Sequence, residues 1–174
     1  MRLEPVIRKG LLSDAENLAA LATQVFLHTY ATEGISSPIS RYVLSEFSVA
    51  KFLSLLTDTS TTTVVVAEVN ANLVGYALVN YRSPCPNQGS FTAELATLYV
   101  QEHFTGKHVG SALLANVEAS AIERTRSPLW LSVNANNKRA LAFYAFHGYR
   151  KIGVCQFKLG NECHENHVLV AKDA

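Results

Sequence analysis

The stretch Val100–Leu114, VQEHFTGKHVGSALL, constrains this chain more than any other. It follows an apolar run, AELATLYV (Ala93–Val100), that reads as a strand. It then opens a helix in which Val109, Leu113, Val117 and Ala121 recur every four residues. Between the two lies Thr105-Gly106-Lys107-His108-Val109-Gly110. A strand, a glycine turn and a helix N-terminus together form an anion site. The first N–H groups of a helix lack internal partners, and the helix dipole favours negative charge beside them. Gly106 and Gly110 let backbone approach a phosphate oxygen, and Lys107 and His108 add positive charge. The expected ligand is a diphosphate.

The chain has 174 residues, enough for one domain, 1–174, with a sizeable core. Hydrophobic residues make up 48% and charged residues 17%, which argues for a globular chain. The formal net charge of +1 gives no electrostatic case for nucleic acid or an anionic membrane. No apolar run is long enough for a membrane span, and MRLEPVIRKG has no apolar segment of the kind a signal peptide carries. Cys85, Cys155 and Cys163 are an odd, scattered set, expected as free thiols in a reducing cytoplasm. Cys163, Glu165 and His167 alternate onto one strand face, but no second ligand cluster supports zinc, so no metal is expected.

Taken in order, Leu3–Arg8 is a short strand, and Ser13-Asp14-Ala15-Glu16 has the form of a capping box. The helix that follows runs to about His28, with Leu18, Leu21, Ala22 and Val25 on one face. After a loop, Ile39–Phe47 and Val49–Thr57 read as one broken helix or two short ones. Thr61–Val69 and Leu73–Tyr81 form a hairpin about Asn70-Ala71-Asn72. Ser83–Gly89, with two prolines, is expected as a surface loop before the strand Ser90–Val100. The helix from about Lys107 to Arg126 stops at Pro128. Leu129–Val133, a helix from about Asn137 to Gly148, and the strands Tyr149–Lys158 and His164–Lys172 complete the chain. The order β-α-α-β-β-β-α-β-α-β-β predicts an α/β fold with a mixed sheet.

At Val100–Leu114 and Asn137–Tyr149 the sequence resembles the GNAT superfamily of acyl-CoA N-acyltransferases. The family motif Arg/Gln-x-x-Gly-x-Gly/Ala falls on Thr105–Gly110, and a second pattern appears as NKRALAFYAFHGY, with Asn137, Ala140, Phe143, Tyr144, Gly148 and Tyr149. The resemblance covers essentially the whole chain. It implies a mixed, mostly antiparallel sheet of about seven strands flanked by about four helices. It implies direct acetyl transfer from acetyl-CoA to a primary amine on a small molecule, peptide or protein, with no metal. The cofactor-contacting set it implies is Leu98, Tyr99, Val100, Thr105, Gly106, Lys107, His108, Val109, Gly110, Ser111, Asn137 and Tyr144. Tyr144 is implied as the acid that protonates the leaving thiolate.

An acceptor ammonium has a pKa near 10, so a base must remove a proton before attack. Glu94 is the only acid in Ser90–Val100, and simple alternation sets it on one face with Ala96, Leu98 and Val100; it is the base candidate, with an ion-pair role as the alternative. His28 and Tyr30, at the end of the first helix, are acceptor-pocket candidates, with packing or surface roles as the alternative. Two departures stand out. Thr105 replaces the family's Arg or Gln, and His108 replaces its first motif glycine. Thr105 offers a hydroxyl with less reach and no charge, and His108 calls for room and an ordinary φ. Weakened cofactor affinity is the expected result. The alternative function is a catalytically weak acyl-CoA-binding sensor or interaction module. The oligomeric state stays open between monomer and homodimer.

Overall fold

The computed structural model describes residues 4–171. Leu3 and Lys172, at the outer ends of the first and last expected strands, lie outside that range. The elements are β1 (Val6–Lys9), α1 (Ala15–Tyr30), α2 (Ser37–Glu46), α3 (Val49–Thr57), β2 (Thr62–Val69), β3 (Asn72–Asn80), β4 (Glu94–Val100), α4 (Val109–Thr125), β5 (Trp130–Asn134), α5 (Lys138–Phe146), β6 (Arg150–Leu159) and β7 (Glu162–Val170). The segment read as one broken helix or two resolves into two, because Ser48 starts a new helix by accepting the Lys51 N–H.

The seven strands form one sheet in the order β1-β2-β3-β4-β5-β7-β6. The sheet is mostly antiparallel. β4 and β5 run parallel, with Glu94 opposite Trp130. β7 lies between β5 and β6 and is antiparallel to both. Asn70 (φ 51°) and Ala71 (φ 62°) close the β2–β3 hairpin with two left-handed residues, the signature of a type I′ turn.

Two compact units divide the chain, and their boundaries fall inside β3, β4 and α4. One comprises the chain up to Leu78 together with Thr97–Val117. Its core gathers Leu18, Leu21 and Ala22 of α1, Phe52 of α3, Val64 and Val66 of β2 and Tyr76 of β3, with Val25 packed alongside. Each fully buried Leu or Phe side chain contributes about 1.5–3 kcal/mol of apolar burial. The start of α1 differs from expectation. The N-cap residue is Asp14 rather than Ser13, and its carboxylate turns back to accept the Leu11 N–H at 2.7 Å, closing the short 3₁₀ turn Leu12–Asp14 that leads into the helix. Asp14 also receives both Arg8 nitrogens, at 2.7 and 2.9 Å, and Arg8 reaches on to Glu68. The Arg8 guanidinium holds the Asp14 carboxyl below the usual range, against the opposing effect of burial.

The other unit comprises Val79–Ala96 and the chain from Glu118 on. Here the expected surface loop is a packed one. Cys85 is buried at 2% exposure and clusters with Trp130, Val168 and Val170. The Cys85 N–H donates to the Phe91 carbonyl at 2.8 Å, and the Trp130 indole donates to the Ser83 carbonyl at 2.7 Å. The Asn87 side chain rests on Gly153 of β6, so a Cβ at that position would displace it. This loop occupies the residues before Glu94, and β4 accordingly starts at Glu94 rather than Ser90.

Candidate active site

In the first unit the end of β4 leads into the turn that carries the glycine motif. The Gln101 N–H donates to Val74 at 2.9 Å, and the Gln101 side chain reaches Gln24 of α1 at 2.6 Å. A short 3₁₀ turn, Glu102–Phe104, follows. Thr105 donates its hydroxyl to the Glu102 carbonyl at 2.7 Å, so that proton is already committed within the turn. Gly106 has φ 70°, and nothing lies within 4 Å of where its Cβ would be. That leaves open space against bare backbone.

His108 departs from expectation. Its φ is 63°, in the left-handed region, not an ordinary value. Such a φ costs an L-residue with a Cβ about 1–2 kcal/mol, the low end applying to His, which tolerates it better than most. The His108 carbonyl accepts the Ala112 N–H at 3.0 Å, the bond that starts α4, so the helix begins at Val109 rather than Lys107. Val109 and Leu113 are buried at 2% and 0%, which anchors the first turn of α4 while Gly106, Lys107 and His108 stay exposed. Lys107 rests its ammonium 5.4 Å from the Phe104 ring centre. The first-turn backbone of α4, from Val109 through Gly110 and Ser111, is therefore a helix N-terminus behind an open left-handed turn, the arrangement that takes an anion. Gly75 of β3 lets the end of β4 and the first turns of α4 pack close: a Cβ there would lie 2.8 Å from the Tyr99 carbonyl oxygen and 3.2 Å from Leu113.

Leu98, Tyr99 and Val100 are half-buried. Tyr99 stands edge-on to Phe47 of α2's C-cap and to Tyr76, with ring centres 6.3 and 5.7 Å away. Phe26, Tyr42 and Phe47 continue this aromatic group, and Tyr30 joins it 4.8 Å from Phe26. Burial, with smaller contributions from Glu46 and Tyr30, pushes the Tyr42 phenol up to about 12. His28 does not join the group. Its Nε2 lies 3.6 Å from a Glu102 carboxylate oxygen, beside the turn that precedes the cradle. Sequence reading missed Tyr42 and Phe47, because no local spacing ties them to Tyr99.

In the second unit Asn137 caps α5, its Oδ1 accepting the Ala140 N–H at 3.1 Å. Two turns on, Tyr144 is buried at 8% exposure, between Phe143 at 5.3 Å and Tyr149 at 5.5 Å. Gly148 at φ 82° ends the helix, and the Tyr149 N–H returns to the Tyr144 carbonyl at 2.9 Å. Tyr149 donates its hydroxyl to Glu118 at 2.8 Å, and burial followed by Glu118 raises its pKa far above the ordinary phenol value. Glu94, at the start of β4, is half-buried. Burial raises its carboxyl pKa, and a hydrogen bond from Ser83 opposes the rise. A carboxyl with that shift is a better proton acceptor than a solvated one.

The acetyltransferase (GNAT) family model matches residues 27–149, a span that includes both the cradle and Tyr144. Proteins of Mycobacterium bovis and Mycobacterium tuberculosis, each named as an N-acetyltransferase, are 30% identical over 162 residues, 93% of this chain and 99% of theirs. Among solved structures, the PaiA N-acetyltransferase of Thermoplasma acidophilum in complex with coenzyme A superposes with a TM-score of 0.80 at 21% identity, covering 98% of this chain and 99% of that one. A ribosomal-protein-alanine N-acetyltransferase of Brucella melitensis gives a TM-score of 0.66 at 20% identity, over 95% and 98%. With the family model spanning most of the chain and relatives aligned nearly end to end, the chain belongs to the acetyltransferase (GNAT) family.

Proposed function

We propose that the whole chain is one acetyltransferase domain that moves an acetyl group directly from acetyl-CoA to a primary amine. The observation that carries this reading is the turn Gly106–His108, open and left-handed, ahead of the α4 N-terminus. Backbone N–H groups from Gly106 to Ser111 hold the diphosphate there, helped by the helix dipole. The backbone of Leu98–Val100 takes the pantetheine arm, and the Asn137 carboxamide nitrogen adds a contact. Glu94 takes the acceptor's proton, directly or through water, and the amine lone pair attacks the thioester carbonyl. The C–S bond breaks, and Tyr144 protonates the departing thiolate. Tyr30, beside Phe26, lines the acceptor side, with His28 next to it in sequence but turned toward Glu102. The free thiols Cys85, Cys155 and Cys163 suit a reducing cytoplasm.

Two observations favour a second reading, an acyl-CoA-binding sensor with weak catalysis. Thr105 spends its hydroxyl on Glu102, and His108 carries strain where a glycine would not. Turnover separates the two. Acetyl-CoA with a panel of small amines and peptides, read by free thiol release and product mass, is expected to show amine-dependent acetylation. Gly110→Asp places a carboxylate beside the diphosphate and is expected to weaken CoA binding at least about tenfold by like-charge repulsion. Binding without amine-dependent thiol release would assign the sensor role; unchanged CoA affinity in Gly110→Asp would remove the cradle.

A further inference from the structure

Within the first unit the turn that leads into the cradle is held at both ends. Downstream, the buried Val109 and Leu113 fix the first turns of α4. Upstream, the backbone bonding of the sheet reaches Gln101, whose N–H donates to the Val74 carbonyl at 2.9 Å. Between these anchors Gly106, Lys107 and His108 are exposed, and nothing lies within 4 Å of where a Gly106 Cβ would be. A segment so open takes its direction from the residues that bracket it.

The upstream bracket leans on α1. Gln24 and His28 stand one helical turn apart on that helix, so they share one side of it. They meet consecutive residues of the turn. The Gln101 Nε2 donates to the Gln24 Oε1 at 2.6 Å, and the His28 Nε2 lies 3.6 Å from a Glu102 carboxylate oxygen. Turning both amides over exchanges donor and acceptor and keeps the first contact. The same two residues carry the turn forward. The Gln101 carbonyl accepts the Phe104 N–H at 2.9 Å, and the Glu102 carbonyl accepts the Thr105 N–H at 3.2 Å and its hydroxyl at 2.7 Å. Gly106 follows directly, so a shift at Gln101 and Glu102 redirects the N–H groups of the cradle.

We propose that Gln24 is a positioning residue for the cradle: its amide, reaching across from α1 to Gln101, holds the turn in the geometry that binds the CoA diphosphate. This rests on the acetyltransferase reading and adds to it a residue that acts without touching the cofactor. The contact is exposed, so it contributes little to global stability. Its effect falls on the fraction of molecules whose turn is ready to bind, and CoA affinity scales with that fraction. The net worth of one hydrogen bond limits the effect to about tenfold.

The test compares the wild type with Gln24→Ala, Gln101→Ala and the double variant; alanine favours the helix at Gln24. Titration calorimetry with coenzyme A reads affinity, and melts of the CoA-free protein read global stability. Gln24→Ala is expected to weaken CoA binding roughly 3- to 10-fold, with the melting temperature within about 2 °C of wild type. The double variant should bind no more weakly than the weaker single variant, because the two substitutions remove one contact. In turnover, Gln24→Ala should raise the acetyl-CoA KM and leave kcat at saturating acetyl-CoA within about twofold. CoA affinity within about twofold of wild type in Gln24→Ala would overturn the proposal. So would additive losses in the double variant, or a loss of affinity that follows a fall in melting temperature, which marks a structural residue. Gly110→Asp separates this from the cradle itself. Weakened binding there with unchanged binding in Gln24→Ala sinks the positioning role alone. Unchanged binding in both, or no CoA binding by the wild type, removes the cradle and the positioning role together.

Discussion

His108 gives the sharpest test of the cradle's backbone. It holds φ 63° at the residue whose carbonyl starts α4. Replacing it changes two things, the imidazole and the backbone preference, and a pair of variants separates them. His108→Ala removes the imidazole and keeps the Cβ that makes a left-handed φ costly. His108→Gly removes both. The difference between the two variants therefore reports the backbone alone. A left-handed residue with a Cβ costs about 1–2 kcal/mol, and glycine's greater freedom in the unfolded chain gives back about 0.4–1 kcal/mol. The net expectation is that His108→Gly is more stable than His108→Ala by about 1 kcal/mol. For a chain of this length that is roughly 2–4 °C in melting temperature. Denaturant titration at fixed pH and calorimetric melts both measure it. CoA affinity should change less than about threefold in His108→Gly, because the N–H groups of the turn keep their directions and the side chain is exposed. Equal stability of the two variants, or an Ala variant more stable than Gly, would refute a left-handed His108.

Tyr144→Phe should lower kcat roughly ten- to a thousandfold with CoA affinity nearly intact; an unchanged kcat when chemistry limits the rate would return Tyr144 to a packing role. For Glu94→Gln, the lost activity should be largest at low and neutral pH and partly recover at high pH, where more free amine exists; superimposable pH–rate profiles would exclude Glu94 as base. The same carboxyl has a stability signature. Its folded pKa is raised, so its contribution is greatest below the unfolded value and is lost as pH rises through the folded one. Wild type should therefore lose stability relative to Glu94→Gln as pH rises past that point, as melts across the pH range would show. Asp14 has the opposite sign. Its folded pKa is lowered, so the stability it adds is present above the unfolded value near 4 and is lost as pH falls through the folded one. Asp14→Asn should cost about 2 kcal/mol at neutral pH, by loss of the Arg8 pair and weakening of the Leu11 contact, and the gap should close in acid.

Much of the fold was legible in local pattern. The four-residue repeat of Val109, Leu113, Val117 and Ala121 marked a face that is buried throughout, because helix period and apolar spacing are the same local fact. Asn70 and Ala71 announced the hairpin, and Gly148 the end of α5, because turns depend on residues two or three apart. The strand, glycine turn and helix of 94–125 were readable for the same reason, since the three are contiguous. Other features waited on contacts between residues far apart in the chain. That Ser83–Phe91 packs against the sheet follows from Trp130, 47 residues beyond Ser83, offering its indole to that loop. Asp14 rather than Ser13 stands at the α1 N-cap, and its carboxylate is turned away from the helix to Arg8 and Leu11. The left-handed φ of His108 was invisible, since the buried anchors Val109 and Leu113 fix the path of the chain and the residue before them must comply.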